Sequence, residues 1–464
     1  MIYKGSIKRF FQSKIDSVIV ALLALSLPLF FYKLGQSSLE NWDEAWYGEI
    51  AKNIFHSGDF LNLTFNGSPY FDHPPFVFWL MSLTYKIFGV SEFWTRFASA
   101  GAGFLCIVIL YFLGKELFNR TVGFASAVAL SSAIWFVYRA RSGNLDVILT
   151  TLFVLTFYLA FKAVKNKKFL IPFSVSLSCL FLTKSMVPFT IILSLLLIFW
   201  GNKNYKIKEY VIPLLIFILS TGVWFIDQLI NQPNFTGRYL SIGLPGLTTE
   251  TSYLNNFNLA KGYLHSGIGK WFWPGVFSMF LGLFLFQKRF FVFSLFFLVF
   301  FIPLIFSTKG QIWHLIPLHP FLILMFFGAS SFLLEKIIKN RILVTILLIG
   351  ISFYFSFMQI RQIWFQFIDI PAFISDEAIL SKEAGLYSDK FYIDGDFVPV
   401  AVFYSGREVE IIRYNGLKTI FSYNQPFLLI TVKWRLDEAN IPESRYRIIK
   451  TDRDKILIQG NINE

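Results

Sequence analysis

The chain has 464 residues, 55% of them hydrophobic and only 15% charged, with a formal net charge of +13. Soluble proteins carry about 25% charged residues, so the composition excludes an ordinary soluble globule, a disordered chain and a disulfide scaffold. It reads as an integral membrane protein, and its two cysteines, Cys106 and Cys179, fall inside apolar runs as buried thiols.

In chain order, Lys4, Lys8, Arg9 and Lys14 precede the apolar run from Ser17 to Tyr32. No small-x-small cleavage site follows it, so a first spanning helix is expected rather than a signal peptide. Further apolar runs lie near 93–114, 121–138, 145–161, 169–183, 186–200, 210–230, 271–286, 290–307, 311–334 and 342–361. By the bilayer-thickness criterion they make about eleven spanning helices, some of them short. The stretch from Pro75 to Phe88 is too short for a span and opens on Pro74-Pro75; it is expected to be a partly embedded helix on the outer side.

If that stretch does not cross, eighteen of the 30 Lys and Arg before residue 371 collect on one side, in the N-terminus and alternate turns. The positive-inside rule makes this side cytoplasmic. The basic excess is then a topology signal, and nucleic acid is not a partner. The expected fold class is a polytopic α-helical membrane protein of about eleven or more transmembrane helices over residues 1–361. Outer loops run over 34–74 and 231–270, and a small extracytoplasmic α/β or β-rich domain over 362–464. Residues 371–464 hold 12 basic and 14 acidic side chains, a soluble balance. Short β-rich runs recur there at Val398–Tyr404, Glu408–Arg413, Pro426–Lys433, Tyr446–Lys450 and Lys455–Ile458. Turn residues such as Asp394-Gly395-Asp396, Ser405-Gly406 and Asn415-Gly416 separate them.

Acidic groups are costly near a bilayer, so their placement is informative. The first outer loop carries Asn41-Trp42-Asp43-Glu44, followed by apolar residues at helical spacing up to Phe55 and a stop at Gly58. This predicts an amphipathic helix along the outer membrane surface. Asn41 with Glu44 fits a capping box, whereas Asp43 is not needed for capping and reads as functional. Next, Tyr70-Phe71-Asp72-His73-Pro74-Pro75 freezes an Asp and a His at the mouth of an apolar segment. That is either a plain turn or a rigid, half-buried site for metal, phosphate or proton transfer. All five histidines (His56, His73, His265, His314, His319) fall on the outer half. Asp72 with His73 or His265 suits a divalent metal ion, although no spacing is a metal signature. Arg96, Arg139, Arg141, Lys184 and Lys309 break the positive-inside pattern, and Asp146 follows the two central arginines. Either they snorkel or they meet an anion, for which phosphate is the natural candidate.

The segment from Asp43 to Arg96 resembles the GT-C superfamily of polytopic glycosyltransferases. The branch concerned contains the protein O-mannosyltransferases and the bacterial enzymes that add aminoarabinose to lipid A. The matching residues are Asp43-Glu44, Ser57-Gly58-Asp59, Asn66-Gly67 with Pro69-Tyr70-Phe71, Asp72-His73-Pro74-Pro75, and Phe88-Gly89-Val90 with Arg96. Patchier matches follow at Leu182-Thr183-Lys184, and at Lys309 with Leu315 to Pro320. Trp46 stands where the aminoarabinose enzymes often have Arg, and His73 where they have Lys; the resemblance implies that both positions touch lipid phosphate.

The resemblance implies a sugar donor on a polyprenyl phosphate, used at the outer leaflet of a bacterial inner membrane with the N-terminus cytoplasmic. The acceptor is a lipid, a glycan or a protein. Asp43 is expected to be the general base, with Glu44 beside it. Asp72 and His73 would orient the acceptor or hold a metal. Lys184, Lys309, Arg96, Arg139 and Arg141 would clamp the phosphate. Tyr70, Trp46 and Trp313 would line the sugar or prenyl site. With no paired carboxylates of the retaining kind, inversion is expected. An envelope transporter or a non-catalytic envelope-assembly protein is the alternative; inverted repeats and midplane charges, which a transporter would show, are absent from the sequence.

Overall fold

The structure, a computed structural model, describes residues 17–202, 205–243, 253–285, 287–306, 310–413, 416–423 and 425–461. The N-terminal basic cluster and Lys309 lie outside them. The chain divides into two compact units: residues 1–33, 71–77 and 99–370, and residues 34–70, 78–98 and 371–464. The segment 34–70, read above as an outer loop of the membrane domain, thus shares a unit with the C-terminal residues.

The apolar runs form helices. Among the described residues, six are long and apolar enough to cross a membrane: Glu92–Leu117, Asp146–Lys165, Lys208–Asn231, Lys288–Ile305, Ile312–Ile337 and Arg341–Ile368. A seventh candidate is the pair Arg120–Leu130 and Ile134–Ala140, bent by 68°. Others of the expected runs form shorter helices among the described residues: Leu170–Phe181 has 12 residues and Phe272–Phe284 has 13. The stretch after Pro74-Pro75 is the helix Phe76–Phe88, of 13 residues.

Small residues and polar bonds hold the first unit together, since apolar side chains gain little from leaving lipid. A Cβ at Gly114 would lie 2.6 Å from Gly123 Cα, so the helices Glu92–Leu117 and Arg120–Leu130 touch backbone to backbone. The bend after Leu130 frees backbone groups that lipid could not satisfy. Here Gln359 Nε2 donates to Ser132 O at 2.6 Å, and Trp271 Nε1 donates to Ser132 Oγ at 3.0 Å.

The second unit contains a hairpin, β1 (Thr64–Phe65) with β2 (Ser68–Pro69), and a five-stranded sheet. The sheet strands are β3 (Lys390–Asp394), β4 (Glu410–Ile412), β5 (Phe427–Val432), β6 (Tyr446–Asp452) and β7 (Lys455–Gly460). Their order is β4-β3-β5-β7-β6, parallel on both sides of β3 and antiparallel from β5 to β6. Alternation along the strands buries both faces. Phe391, Ile393, Leu428 and Ile430 pack with Leu380 and Val402 on one side. Tyr392, Leu429, Ile456 and Ile458 pack with Leu417 and Leu436 on the other. The tail is therefore α/β, with β3 missed in the sequence reading. Val398–Tyr404, expected as a strand, is the helix Val398–Ser405. Its β-branched residues suit a strand, but parallel neighbours β3 and β4 need a crossover between them, and Pro399 in the first turn suits a helix start.

Residues 34–70 bond directly to this domain. Asn66 acts as a strand mimic: its Nδ2 donates to Val409 O at 2.9 Å and its Oδ1 accepts from Val409 N at 2.8 Å. Lys52 Nζ donates to Phe403 O at 2.8 Å, Asn41 Nδ2 to Asp396 O at 2.7 Å, and Leu39 N to the Tyr404 hydroxyl at 2.8 Å.

The close helix crossing is testable. Gly123→Val is expected to destabilise the protein by about 1–3 kcal/mol, the usual overpacking cost. Gly101→Val, at a position with open space around it, is expected to leave the melting temperature in detergent nearly unchanged.

Candidate functional site

The second unit carries the Asp43-Glu44 pair at the start of the helix Asp43–Ser57. No side chain caps this start, and Asn41 is turned to Asp396, so the expected Asn41 capping box does not form. Glu44 Oε2 reaches back to Glu40 N at 2.8 Å instead. Just before Asp43, Trp42 has φ +68°, a backbone conformation a bulky residue rarely adopts. Such strain persists only where the surroundings enforce it, and it clusters at functional positions.

Glu44 is buried and pairs with Arg96. Arg96 Nε donates to Glu44 Oε1 at 2.8 Å and Nη2 to Oε2 at 2.7 Å. The other N–H groups of Arg96 donate to the carbonyls of Leu34, Ser37 and Ser38 at 2.9–3.0 Å. All five donors of the guanidinium are thereby used. Arg96 is not a phosphate ligand but a buried fastener for the chain entering the surface helix.

The first unit assembles the other set. Phe76 N donates to Leu182 O at 3.0 Å, tying the Asp72-His73-Pro74-Pro75 segment to the Thr183-Lys184-Ser185 turn. Asp146 is buried at the start of its helix and accepts from Lys184 Nζ at 2.8 Å and from Arg139 Nη2 at 2.7 Å. Arg139 also lies 5.0 Å over the Trp313 ring. Asp72 pairs with Arg238 through both carboxylate oxygens. His73 is buried among these charges: burial and the Lys184 ammonium push its imidazole down to about 4, against the opposing pull of Asp72 and Asp146. At neutral pH it is uncharged. Of the residues expected from sequence, Asp72, His73, Lys184 and Arg139 are thus brought together.

The remaining residues have other placements. Arg141 donates to the carbonyls of Leu29 and Tyr32 at 3.1 and 2.8 Å, capping the helix Ser17–Phe31. Tyr70 is buried edge-on to Trp46 and Phe78. His265 lies against the Phe272 ring, at 5.0 Å between centroids. The metal set Asp72, His73 and His265 is not supported: among the described residues no three His, Cys, Asp or Glu are grouped to hold an ion, and Asp72 is taken by Arg238. Two residues were missed. Asp146 was signalled as an acid opening an apolar run; Arg238 was signalled only as a cation in the second outer loop.

Comparison with known proteins adds to this geometry. The family described as dolichyl-phosphate-mannose-protein mannosyltransferase matches residues 72–225. An uncharacterized protein of Aquifex aeolicus is 28% identical over 436 residues, covering 86% of this chain and 84% of that one. An undecaprenyl phosphate-alpha-4-amino-4-deoxy-L-arabinose arabinosyl transferase of Pseudomonas savastanoi pv. phaseolicola is 32% identical over 164 residues. That match covers 34% of this chain and only 30% of the transferase. The crystal structure of ArnT from Cupriavidus metallidurans bound to undecaprenyl phosphate is similar with a TM-score of 0.72 at 14% identity, over 96% of this chain and 98% of that one. The Archaeoglobus fulgidus oligosaccharyltransferase in the apo form gives 0.59 at 12% identity, over 90% and 69%. The structural likenesses are of fold.

Two predictions follow from the electrostatics. Arg96→Met, which strands a buried carboxylate, is expected to cost about 3–5 kcal/mol of stability, with Glu44→Gln/Arg96→Met recovering part of it in thermal melts. For His73, the folded protein resists protonation while the unfolded chain takes up a proton below its ordinary value near 6.5. Stability is therefore lost as pH falls from 6.5 towards 4. Melting curves of His73→Gln across that window should fall less steeply than wild type.

Proposed function

We propose that the chain is a multi-pass membrane glycosyltransferase of the GT-C superfamily that moves a sugar from a polyprenyl phosphate to a hydroxyl of an extracytoplasmic acceptor, with inversion. One observation carries this reading. In the first unit two buried cations, Arg139 and Lys184, converge on one buried carboxylate, Asp146, near the neutral His73, while Asp72 pairs with the exposed Arg238. Two buried cations gathered at one point suit an anionic ligand, and a lipid phosphate is one. The complex of ArnT with undecaprenyl phosphate supports a donor of this class.

In the reaction, Asp43 takes the proton of the acceptor hydroxyl as its oxygen attacks the anomeric carbon. The bond from that carbon to the phosphate oxygen breaks, and its electron pair leaves with the phosphate. A phosphate needs no proton to depart. The charges of Lys184 and Arg139 stabilise the developing negative charge, and Asp146 holds the two together. A single displacement inverts the anomeric centre; retention would need a second carboxylate as nucleophile about 5–5.5 Å from the first. The acceptor is a lipid, a glycan or a protein. The reading places the enzyme in a bacterial inner membrane, with the reaction and the C-terminal domain on the outer side.

Transfer of labelled sugar from undecaprenyl phosphate to envelope fractions in proteoliposomes tests it. Asp43→Asn is expected to lower the rate about 10²–10⁴-fold, as for loss of a general base, with undecaprenyl phosphate binding retained. Lys184→Ala is expected to weaken that binding. Full activity of Asp43→Asn would overturn the assignment of the base.

A further inference from the structure

The second unit contains a cavity of about 470 Å³ that the reaction described above does not use. This is within the roughly 300–1,000 Å³ of small-molecule sites. Its wall is polar: Glu49, Asn53 and His56 from the surface helix, Thr64 from β1, and Arg407 and Glu408 from the loop after the helix Val398–Ser405. Glu49 is buried, and burial pushes its carboxyl up despite Lys52 Nζ at 2.5 Å. Arg407 is committed to the wall, donating to the carbonyls of Ala384 and Asp389. Glu408 is exposed at the rim, and among the described residues no ion pair engages it.

The helix links this cavity to the proposed base. Trp46, Glu49, Asn53 and His56 follow one another by steps of three or four and share one side of it, with Asp43 one turn before Trp46. At 1.5 Å per residue, the stretch from Glu49 to His56 lies about 9–20 Å from Asp43 along the axis. Trp46 stands between, tilted on Phe65 at 5.0 Å and edge-on to Tyr70 at 6.0 Å. Its indole Nε1 is buried, with no acceptor among the described residues.

An aromatic face with a spare N–H, followed by carboxylates and amides, is chemistry for hydroxyl-rich rings. Carboxylates accept from hydroxyl and ammonium groups and repel phosphates. The distance from Asp43 means that the cavity does not hold the reacting hydroxyl. We propose that it binds the distal sugar units of a glycan acceptor, neutral or amine-bearing, whose reacting hydroxyl lies at Asp43. The assignment rests on the transferase reading and narrows its acceptor class to a saccharide. Contacts to such a remote part supply binding energy that positions the reacting end.

The test is saturation-transfer NMR on the full-length protein in detergent, with cellobiose, di-glucosamine and glucose 6-phosphate as probes. Cellobiose and di-glucosamine are expected to bind, and the phosphate ester not to. Glu408→Lys at the rim and Ser57→Trp at the exposed helix end should each weaken saccharide binding tenfold or more, while undecaprenyl phosphate affinity stays at the wild-type value. No saccharide binding to wild type, or binding that both variants leave intact, would overturn the proposal. Asp43→Asn separates the two readings: it should bind the disaccharides as wild type does. If it also transfers sugar normally, the base assignment falls and the cavity assignment stands.

Discussion

Asp146 is one buried carboxylate shared by two cations from different parts of the chain, Arg139 and Lys184. Burying each ion costs several kcal/mol, recovered only where the geometry is good and the remaining polar atoms are satisfied. The chain meets that condition with irregular backbone. Asn144 Oδ1 accepts from Asp146 N at 2.9 Å, and its Nδ2 donates to Arg139 O at 2.6 Å. This knot fixes the turn between Ile134–Ala140 and Asp146–Lys165. On the facing side, the helix Leu170–Phe181 stops so that Lys184 can enter from a turn. The interrupted helices are thus a consequence of delivering these charges to one place, since non-helical backbone in such a protein is tolerated only where protein satisfies it.

The Glu44–Arg96 pair in the second unit is equally buried but chemically finished. Five donors meet five acceptors, and nothing remains for a ligand. The Asp146 cluster instead sets two cations on a single carboxylate. That difference, rather than burial or residue type, separates a fastener from the proposed phosphate site.

Hydropathy made the membrane class and most helix positions legible, because lipid imposes a long apolar period on each span. It could not show where a run breaks: Ser131–Ala133 interrupts an apolar stretch, and the groups that satisfy the break, Trp271 and Gln359, lie far along the chain. Arg96 was misread for the same reason, its carboxylate partner being 52 residues away. The Val398–Ser405 helix was misread because local β-propensity was weighed without the parallel pairing that requires a crossover. The proximity of Asp72, His73 and Lys184 was legible because an ionisable group beside an apolar run needs a reason to be there. The cavity was not, since its wall joins the surface helix to residues more than 340 positions later, as the Asn66–Val409 bonds do.

The two sets of residues also differ in what holds them. The stretch matching the mannosyltransferase family, residues 72–225, contains Asp72, His73, Arg139, Asp146 and Lys184 but neither Asp43 nor the cavity wall. The helix that carries Asp43 is instead fastened to the C-terminal α/β domain, through Lys52 to Phe403, Asn41 to Asp396 and the hairpin residue Asn66 to Val409. Substitutions in that domain can therefore reshape the surroundings of Asp43. A donor phosphate presents the same charge whatever sugar it carries, and one fixed set of cations serves it. An acceptor is recognised by shape and hydroxyl pattern, which a loop such as Gly406–Glu408 can vary at little cost to the sheet beneath it. Under the proposed function, the C-terminal domain is the part of the chain in which acceptor specificity would be written.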